Sequence, residues 1–218
     1  MSLLQIENMS YSYDNGKTFA LKDINLEFSE GKAYGIYGKS GAGKSTFLSL
    51  VAGLEPPTSG VILYGNRDIA TMDRNKYRSS SVGVVFQTFN LLTHMTALEN
   101  VLLSIHVSGI KMTDKKNHAL GMLEKVGLDE VKANRRVLHL SGGEQQRVGI
   151  ARALSFDPSV ILADEPTGNL DKGTEEDILD ILTSLARDDG KCVILVSHSQ
   201  KLTEVVDRLY RMEHGMIV

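Results

Sequence analysis

The sequence predicts an α/β fold with a mainly parallel sheet, an N-terminal antiparallel β-subdomain and an inserted α-helical subdomain. Three observations lead to this prediction. Apolar and polar residues alternate within the first part of the chain, as in half-buried antiparallel strands. Continuous apolar runs at 82–86, 160–163 and 192–196 are typical of buried parallel strands. Between positions 88 and 138, apolar residues recur at helical spacing instead.

The antiparallel region contains two predicted strands. Apolar and polar residues alternate over 23–28, and an earlier strand carries Tyr11 and Tyr13. The turn at 14–17, Asp-Asn-Gly-Lys, separates the two strands. Further short strands are predicted at 61–64, 209–212 and 216–218.

Two helices are predicted inside the inserted segment. The first carries Leu98, Val101 and Ile105 on one face. The second is expected to start with Thr113 as its N-cap and to end near Gly127. No strand is evident there, so we interpret residues 88–138 as the helical subdomain.

Residues 38–46 have the form of a phosphate-binding loop: glycine, four residues, then Gly-Lys-Ser. The loop follows an apolar strand at 33–37 and opens a helix at 47–52, which is the context that the motif requires. Glycines let several backbone N–H groups point at one anion, and a helix N-terminus adds its positive dipole end. Lys44 is expected to contact the β- and γ-phosphates, and the Ser45 hydroxyl to contact magnesium. The predicted phosphate-loop contacts are Gly38, Lys39, Ser40, Gly41, Ala42, Gly43, Lys44, Ser45 and Thr46.

Two acidic residues follow the apolar run at 160–163. In parallel sheets, ligands bind outside the carboxyl ends of the strands. Adjacent strand residues point in opposite directions, so Asp164 and Glu165 can have different roles. Asp164 would hold magnesium through water, and Glu165 would orient or deprotonate an attacking water.

A further helix start at Ser141 has an unusual composition. Ser141 followed three residues later by Glu144 predicts a capping box. Gly142 and Gly143, however, would each destabilise a first helical turn by about 1 kcal/mol relative to alanine. Close approach of the backbone to an anion would explain them, so we predict a second phosphate-facing helix end.

Bulk composition argues against several classes of protein. The 218 residues carry a net charge of −3, which disfavours nucleic acid as a partner. Cys192, the single cysteine, excludes an internal disulfide and is expected to be a buried apolar residue. No apolar run reaches the ~18 residues that span a bilayer, and the N-terminus lacks a signal-peptide pattern. No metal is assigned to the remaining histidines, which form no ligand-spaced cluster: His94, His106, His118, His139 and His214.

Over essentially its whole length the sequence resembles the ATP-binding-cassette (ABC) ATPases, the nucleotide-binding subunits of ABC transporters. Residues 140–145, Leu-Ser-Gly-Gly-Glu-Gln, match that family's signature motif. The resemblance implies one ABC ATPase domain over 1–218, in which a P-loop NTPase core (1–87 and 139–218) carries the helical subdomain 88–138. It also implies ATP and Mg²⁺ as cofactors. The implied partners are a second copy of the chain in an ATP-sandwich dimer, an integral membrane permease and, through that permease, an extracytoplasmic adaptor.

The resemblance also assigns roles to single residues. Gln87 matches a glutamine that contacts magnesium and senses the membrane partner, His198 a histidine at the γ-phosphate, and Tyr13 an aromatic that stacks on adenine. Tyr11 and Phe19 lie near Tyr13, so which aromatic belongs to the core stays open. The implied catalytic residues are Glu165, His198, Gln87 and Lys44, and the implied metal ligands are Ser45, Gln87 and Asp164. Further nucleotide contacts are implied at Ser141, Gly142, Gly143, Gln145 and Asp171.

Two departures from the family pattern concern neighbouring segments. The family usually has aspartate after the histidine, where this chain has Ser199, which leaves the local hydrogen bonding open. Thr93-His94 replace a proline that usually follows the double leucine. Three apolar residues lie just before Thr93, where a loop would normally be polar: Phe89, Leu91 and Leu92. They predict either a docking site for a membrane protein's cytoplasmic helix or packing inside the subdomain.

Within the family, residues 86–92, 96–101 and 163–171 resemble one group: macrolide-export, lipoprotein-release, cell-division and antimicrobial-peptide-resistance ATPases. The leading hypothesis is therefore an ATPase that is cytoplasmic and peripheral on the inner face of the cell membrane. The alternative is a soluble ABC ATPase that acts on DNA or the ribosome without a membrane partner. A single cassette, no heptad run and mildly acidic charge disfavour that alternative.

Overall fold

A computed structural model of the chain describes residues 2–14 and 16–218. Its strands are β1 (Ser2–Ser12), β2 (Phe19–Ser29), β3 (Lys32–Tyr37), β4 (Ser59–Tyr64), β5 (Arg67–Asp68), β6 (Val82–Val85), β7 (Val160–Asp164), β8 (Cys192–Ser197), β9 (Arg208–Glu213) and β10 (Met216–Ile217). Its α-helices are α1 (Lys44–Val51), α2 (Arg74–Ser80), α3 (Ala97–Ser108), α4 (Lys115–Lys125), α5 (Glu130–Ala133), α6 (Gly142–Leu154), α7 (Lys172–Arg187) and α8 (Leu202–Val205). Short 3-10 helices lie at Ile69–Thr71 and Val137–His139.

The larger sheet has the strand order β10-β9-β3-β8-β7-β6 and is parallel except at β10. Tyr37 at the end of β3 pairs with Ser197, and Asp164 at the end of β7 pairs with Val196. The carboxyl ends of β3, β7 and β8 therefore meet at one edge of the sheet. Cys192 lies buried at the start of β8, where burial raises the pKa of its thiol to about 12, as expected of a small apolar core residue.

The smaller sheet is antiparallel, with the order β2-β1-β4-β5. Ile24, Leu26 and Phe28 of β2 are buried, which confirms the predicted alternation. The turn predicted at 14–17 includes position 15, which lies outside the described residues. Helix α1 and this sheet cover one face of the larger sheet around Phe28 and Phe47, while α6, α7 and the inserted helices cover the other.

Between positions 88 and 138, α3, α4 and α5 pack together and onto α6. Helix α3 begins with a capping box formed by Thr96 and Glu99, in which each side chain bonds the other residue's backbone N–H. For α4 the predicted cap at Thr113 is wrong by one residue, because the Asp114 carboxylate accepts from the Asn117 N–H instead. No helix of the described residues has the length and apolar character that crossing a membrane requires.

Candidate functional site

The phosphate loop connects β3 to α1, as the motif predicts. Gly43, the residue before the helix, has a φ of 106°, and a Cβ there would lie 2.8 Å from the Leu21 side chain. Only glycine accommodates both conditions. Because no side chain caps α1, its first N–H groups remain available to an anion.

Lys44 is the first residue of α1 and is only 6% exposed. Its Nζ donates to the carbonyls of Gly38 at 2.8 Å and Lys39 at 3.2 Å, so its side chain lies across the loop. The same Nζ is 3.3 Å from Glu165 Oε1. The lysine therefore joins the phosphate loop to Glu165, the residue directly after β7.

The first acidic residue, Asp164, ends β7 and faces α1. Its Oδ1 accepts a hydrogen bond of 3.1 Å from the Ser45 hydroxyl. Burial raises the pKa of the Asp164 carboxyl, the Ser45 hydrogen bond opposes this rise, and the neighbouring Glu165 charge adds to it. Because burial disfavours the charged form of Asp164, a cation bound beside this carboxylate would stabilise it.

The second acidic residue, Glu165, has a φ of 45°, a left-handed conformation that is uncommon for a residue with a side chain. Its Oε2 lies 2.8 Å from His198 Nδ1 and accepts bonds from the His198 N–H at 3.2 Å and the Ser197 hydroxyl at 3.1 Å. Burial raises the pKa of this carboxyl, but the His198 hydrogen bonds and the Lys44 charge outweigh burial and hold the pKa below its usual range. Glu165 is therefore an ionised carboxylate at neutral pH.

These groups line a cleft of about 760 Å³. The cleft is formed by Tyr13, Ala20, Tyr37, Gly38, Lys39, Ser40, Gly41, Gly43, Lys44, Ser45, Thr46, Gln87, Glu165 and His198. Asp164 reaches this group through Ser45, whereas Ala42 lines a smaller adjoining cavity on the far side of the loop. The structure thus brings together most residues predicted at the phosphate loop and at the strand ends.

At the mouth of the cleft, Tyr13 is 68% exposed and its hydroxyl lies 2.9 Å from Thr46 Oγ1. Tyr11 is buried and packs edge-on against Tyr13, with ring centroids 4.8 Å apart. Of these two, Tyr11 is therefore the core aromatic, and Tyr13 is the one whose ring is exposed at the cleft.

Within a single chain, the predicted signature residues lie outside this cleft. Ser141 caps α6 in a capping box with Glu144, as predicted, and Gln145 Nε2 donates to the Leu140 carbonyl at 2.9 Å. A Cβ at Gly143 would lie 2.4 Å from Thr174 Cγ2, so this glycine also allows α6 to approach α7. Asp171 caps α7 through the Thr174 N–H. The cleft of the same chain is lined by none of the further predicted nucleotide contacts: Ser141, Gly142, Gly143, Gln145 and Asp171.

Several residues at the site were not predicted from the sequence. Ser197 holds Glu165, and the Ser199 hydroxyl donates to Glu175 Oε1 on α7 at 2.9 Å. Ser197 could have been suspected, because it ends the strand that pairs with β7. Nothing in the sequence signals Glu175, which lies in the first turn of α7.

A parallel sheet with a phosphate loop after one strand and an acidic pair after another defines a phosphate-loop nucleotide hydrolase. The sequence profile described as "ABC transporter" matches residues 21–168. The chain is 45% identical to the uncharacterized ABC transporter ATP-binding protein YclH of Bacillus subtilis, covering 99% of this chain and 95% of that protein. It is 39% identical to the lipoprotein-releasing system ATP-binding protein LolD of Geobacter metallireducens, covering 100% and 98%.

The fold is also similar to that of the ATP-binding cassette MJ0796 of Methanocaldococcus jannaschii, solved as a dimer in a post-hydrolysis state bound to ADP and Pi. The TM-score is 0.88 at 38% identity, covering 98% of this chain and 96% of that one. The chain belongs to the ABC transporter ATP-binding family. It is an ATPase, the ATP-binding and ATP-hydrolysing subunit of a transporter.

Proposed function

We propose that ATP is hydrolysed in the cleft as its magnesium complex, with Glu165 as the general base. The observation that carries this proposal is the position of Glu165, an ionised carboxylate held by His198 and Lys44 beside the phosphate loop. Lys44 would leave the loop carbonyls to contact the β- and γ-phosphates, and His198 would contact the γ-phosphate. Gln87 lines the same cleft and would contact the magnesium ion.

The donor set fits magnesium. Ser45 Oγ and Asp164 Oδ1 lie 3.1 Å apart, and Mg²⁺ prefers oxygen ligands, usually one or two carboxylates together with substrate phosphates and waters. The described residues contain no group of three or more His, Cys, Asp or Glu side chains that could hold a metal alone. When bound, Mg²⁺ would neutralise charge on the β- and γ-phosphates.

Tyr13 is proposed to stack on the adenine. Replacing Tyr13 with alanine should weaken ATP binding about tenfold, since stacking of one base on an aromatic ring contributes about 1–3 kcal/mol. Titration of the chain with a fluorescent ATP analogue measures the loss. Tyr13→Phe keeps the ring and should bind normally; equal binding by Tyr13→Ala would contradict stacking.

Two copies of the chain are proposed to close head to tail around two ATP molecules. The signature residues lie outside the cleft of their own chain, and they would complete the cleft of the other copy. The dimeric MJ0796 cassette supports this arrangement. This arrangement would also give a function to the division into a core and a helical subdomain at 88–138. Helix α6, whose N-terminus carries the signature residues, packs onto the inserted helices and would move with them.

The membrane partner is proposed to be a permease at the inner face of the cell membrane, of the export or lipoprotein-release type. A groove of about 400 Å³ lies between the core and α3, lined mainly by apolar residues, among them Leu54, Val84, Phe86 and Phe156. Of the residues that the sequence singled out near this groove, Leu91 is partly buried against the core, whereas Leu92 is exposed. The groove is thus apolar but not closed by its own chain.

Two guanidinium groups give the groove a positive charge. Arg152 donates to the carbonyls of Phe89 and Asn90, and Arg78 donates to the Gly53 carbonyl and Asn75. Among the described residues, neither arginine forms an ion pair with a carboxylate. The occupant that fits is an amphipathic cytoplasmic helix with an acidic residue among its apolar ones.

Replacing Leu54, which is 52% exposed in this groove, with glutamate should abolish recruitment to membranes that contain the permease. The new carboxylate would pair with the groove's arginines and repel the acidic helix. The measurement is the fraction of the chain that sediments with washed membranes of the native cells. Val131→Glu, at an exposed apolar residue of α5 outside the groove, is the matched control. Unchanged sedimentation of the Leu54 variant would contradict docking there.

A further inference from the structure

The carboxylate of Glu175 connects the two loops that follow β7 and β8. Its Oε1 accepts from the Ser199 hydroxyl at 2.9 Å and lies 3.5 Å from Thr167 Oγ1. Its Oε2 is 3.4 Å from Lys201 Nζ, and the side chain is only 14% exposed. Glu175 does not line the nucleotide cleft.

A continuous set of hydrogen bonds leads from Glu175 to the catalytic pair. The Ser199 N–H donates to Ser197 Oγ at 3.0 Å, and Ser197 Oγ donates to Glu165 Oε2 at 3.1 Å. The segment 197–199 is therefore held at its two ends by two different carboxylates. His198 lies between these ends.

His198 depends on that segment for its position. Its ring is largely exposed, and the hydrogen bond that it forms is the one to Glu165. Little packing holds such a ring, so the backbone of the loop sets where Nδ1 points. A loop attached only at Ser197 would let the imidazole turn away from Glu165 and from the γ-phosphate.

We propose that Glu175 is a positioning residue for ATP hydrolysis: through Ser199 it fixes the loop that carries His198. This inference rests on the proposed roles of Glu165 and His198. It supplies from α7 the carboxylate that the family resemblance leads one to expect at position 199. Because Glu175 contacts the loop and not the nucleotide, it should affect turnover and not ATP affinity.

A merely structural role for Glu175 is the main alternative. An acidic residue in the first turn stabilises a helix through the dipole, and Glu175 also pairs with Lys201. Glu176 follows it directly near the same helix end and also pairs with the lysine, 2.8 Å from Lys201 Nζ, so it carries the same charge in nearly the same place. It is exposed and does not bond Ser199, so Glu176→Gln is a matched control.

The first test compares Glu175→Gln and Glu176→Gln in the purified full-length chain. For Glu175→Gln we expect kcat to fall about tenfold, because the charged acceptor of the Ser199 hydroxyl is lost, with KM for ATP unchanged. Glu176→Gln should keep the wild-type kcat. Thermal unfolding of each variant checks that both fold. Wild-type kcat in Glu175→Gln, or an equal loss in both variants, would overturn the proposal.

The second test exchanges the donor and the acceptor. Ser199→Asp alone places two carboxylates side by side and should lower kcat. In the double variant Glu175→Gln/Ser199→Asp, the amide of the new glutamine can donate to the new aspartate, so kcat should return to within about threefold of wild type. A dipole or stability effect of Glu175 would not be restored by a change at position 199, and failure of this rescue would overturn the proposal.

If Glu175→Gln does not fold, Ser199→Ala removes the same hydrogen bond without changing α7. We expect a similar fall in kcat with unchanged KM, and normal turnover in Ser199→Ala would refute the inference. A different result would show that Glu165 is not the general base. In that case Glu165→Gln itself retains turnover, whatever the Glu175 and Ser199 variants do.

Discussion

Replacing Glu165 with glutamine is expected to lower the rate of ATP hydrolysis by about 10³-fold while ATP binding persists, the range in which loss of a general base falls. Glutamine has nearly the same shape, but its amide cannot accept the proton of the attacking water. The phosphate loop and Tyr13, which would supply most of the binding contacts, are unchanged. Phosphate release under single-turnover conditions and ATP retention on a filter measure the two effects separately.

The same variant should accumulate as an ATP-bound dimer, because reopening of the proposed dimer follows hydrolysis. Size-exclusion chromatography with ATP and Mg²⁺ tests this. Glu204→Gln, at an exposed acidic residue of α8 that does not line the cleft, should behave as wild type. Turnover near the normal rate in Glu165→Gln would rule out its role as the base.

The wild-type rate should also respond to pH in a direction that the site predicts. Hydrogen bonds from His198 and the charge of Lys44 hold the pKa of Glu165 below its usual range, so the base stays ionised down to acidic pH. Protonation of Glu165 should therefore reduce activity only as the pH falls through this lowered pKa.

Replacing Ser141 with arginine is expected to reduce hydrolysis by about 10²- to 10³-fold, although Ser141 lies outside the cleft of its own chain. In the proposed dimer it would donate to the developing γ-phosphate charge in the other copy, and one preorganised donor contributes about 3–4 kcal/mol. A two-fold interface builds two such composite sites at once. Phosphate release at saturating ATP measures the loss.

Ser141 also caps α6, so the loss of a cap needs its own control. Thr96→Arg removes the equivalent capping box of α3 and should lower stability by about 1 kcal/mol without the loss of turnover. A matched fall in the rate of both variants would indicate a folding effect and not a composite site.

Protein concentration provides an independent test of the composite site. At low concentration the ATPase rate of the wild-type chain should rise roughly with the square of concentration, because only dimers are active. Mixing Lys44→Ala with Ser141→Arg chains should restore one intact site per mixed dimer, unless both sites must act together. A rate strictly linear in protein, where sizing shows only ATP-bound monomer, would refute the trans-acting Ser141.

Local features explain why much of the site could be predicted from the sequence. The phosphate loop is a short motif whose glycines, lysine and helix start lie within one segment, so its conformation depends little on the rest of the chain. The alternation in β2 and the capping box at Ser141 are likewise local patterns, and both occur in the structure. The acidic pair after β7 could be recognised because an apolar strand precedes it.

Elements without such a pattern could not be predicted. Helix α2 has one apolar residue, Tyr77, and it is a helix because Asp73 caps it and because the core buries that tyrosine. The sequence contains no periodicity there. The choice between Tyr11 and Tyr13 also had to wait for the fold, since burial depends on what packs above the strand.

The sequence by itself determined that this chain has a phosphate loop, an acidic pair and a parallel core. Only the tertiary structure decided that Lys44 and His198 both contact Glu165, that Ser141 and the other signature residues lie outside the cleft, and that the Ser199 hydroxyl donates to Glu175. The physical reason is that a motif specifies the backbone of its own segment. The order and register of β3, β8 and β7 place the ends of distant strands side by side.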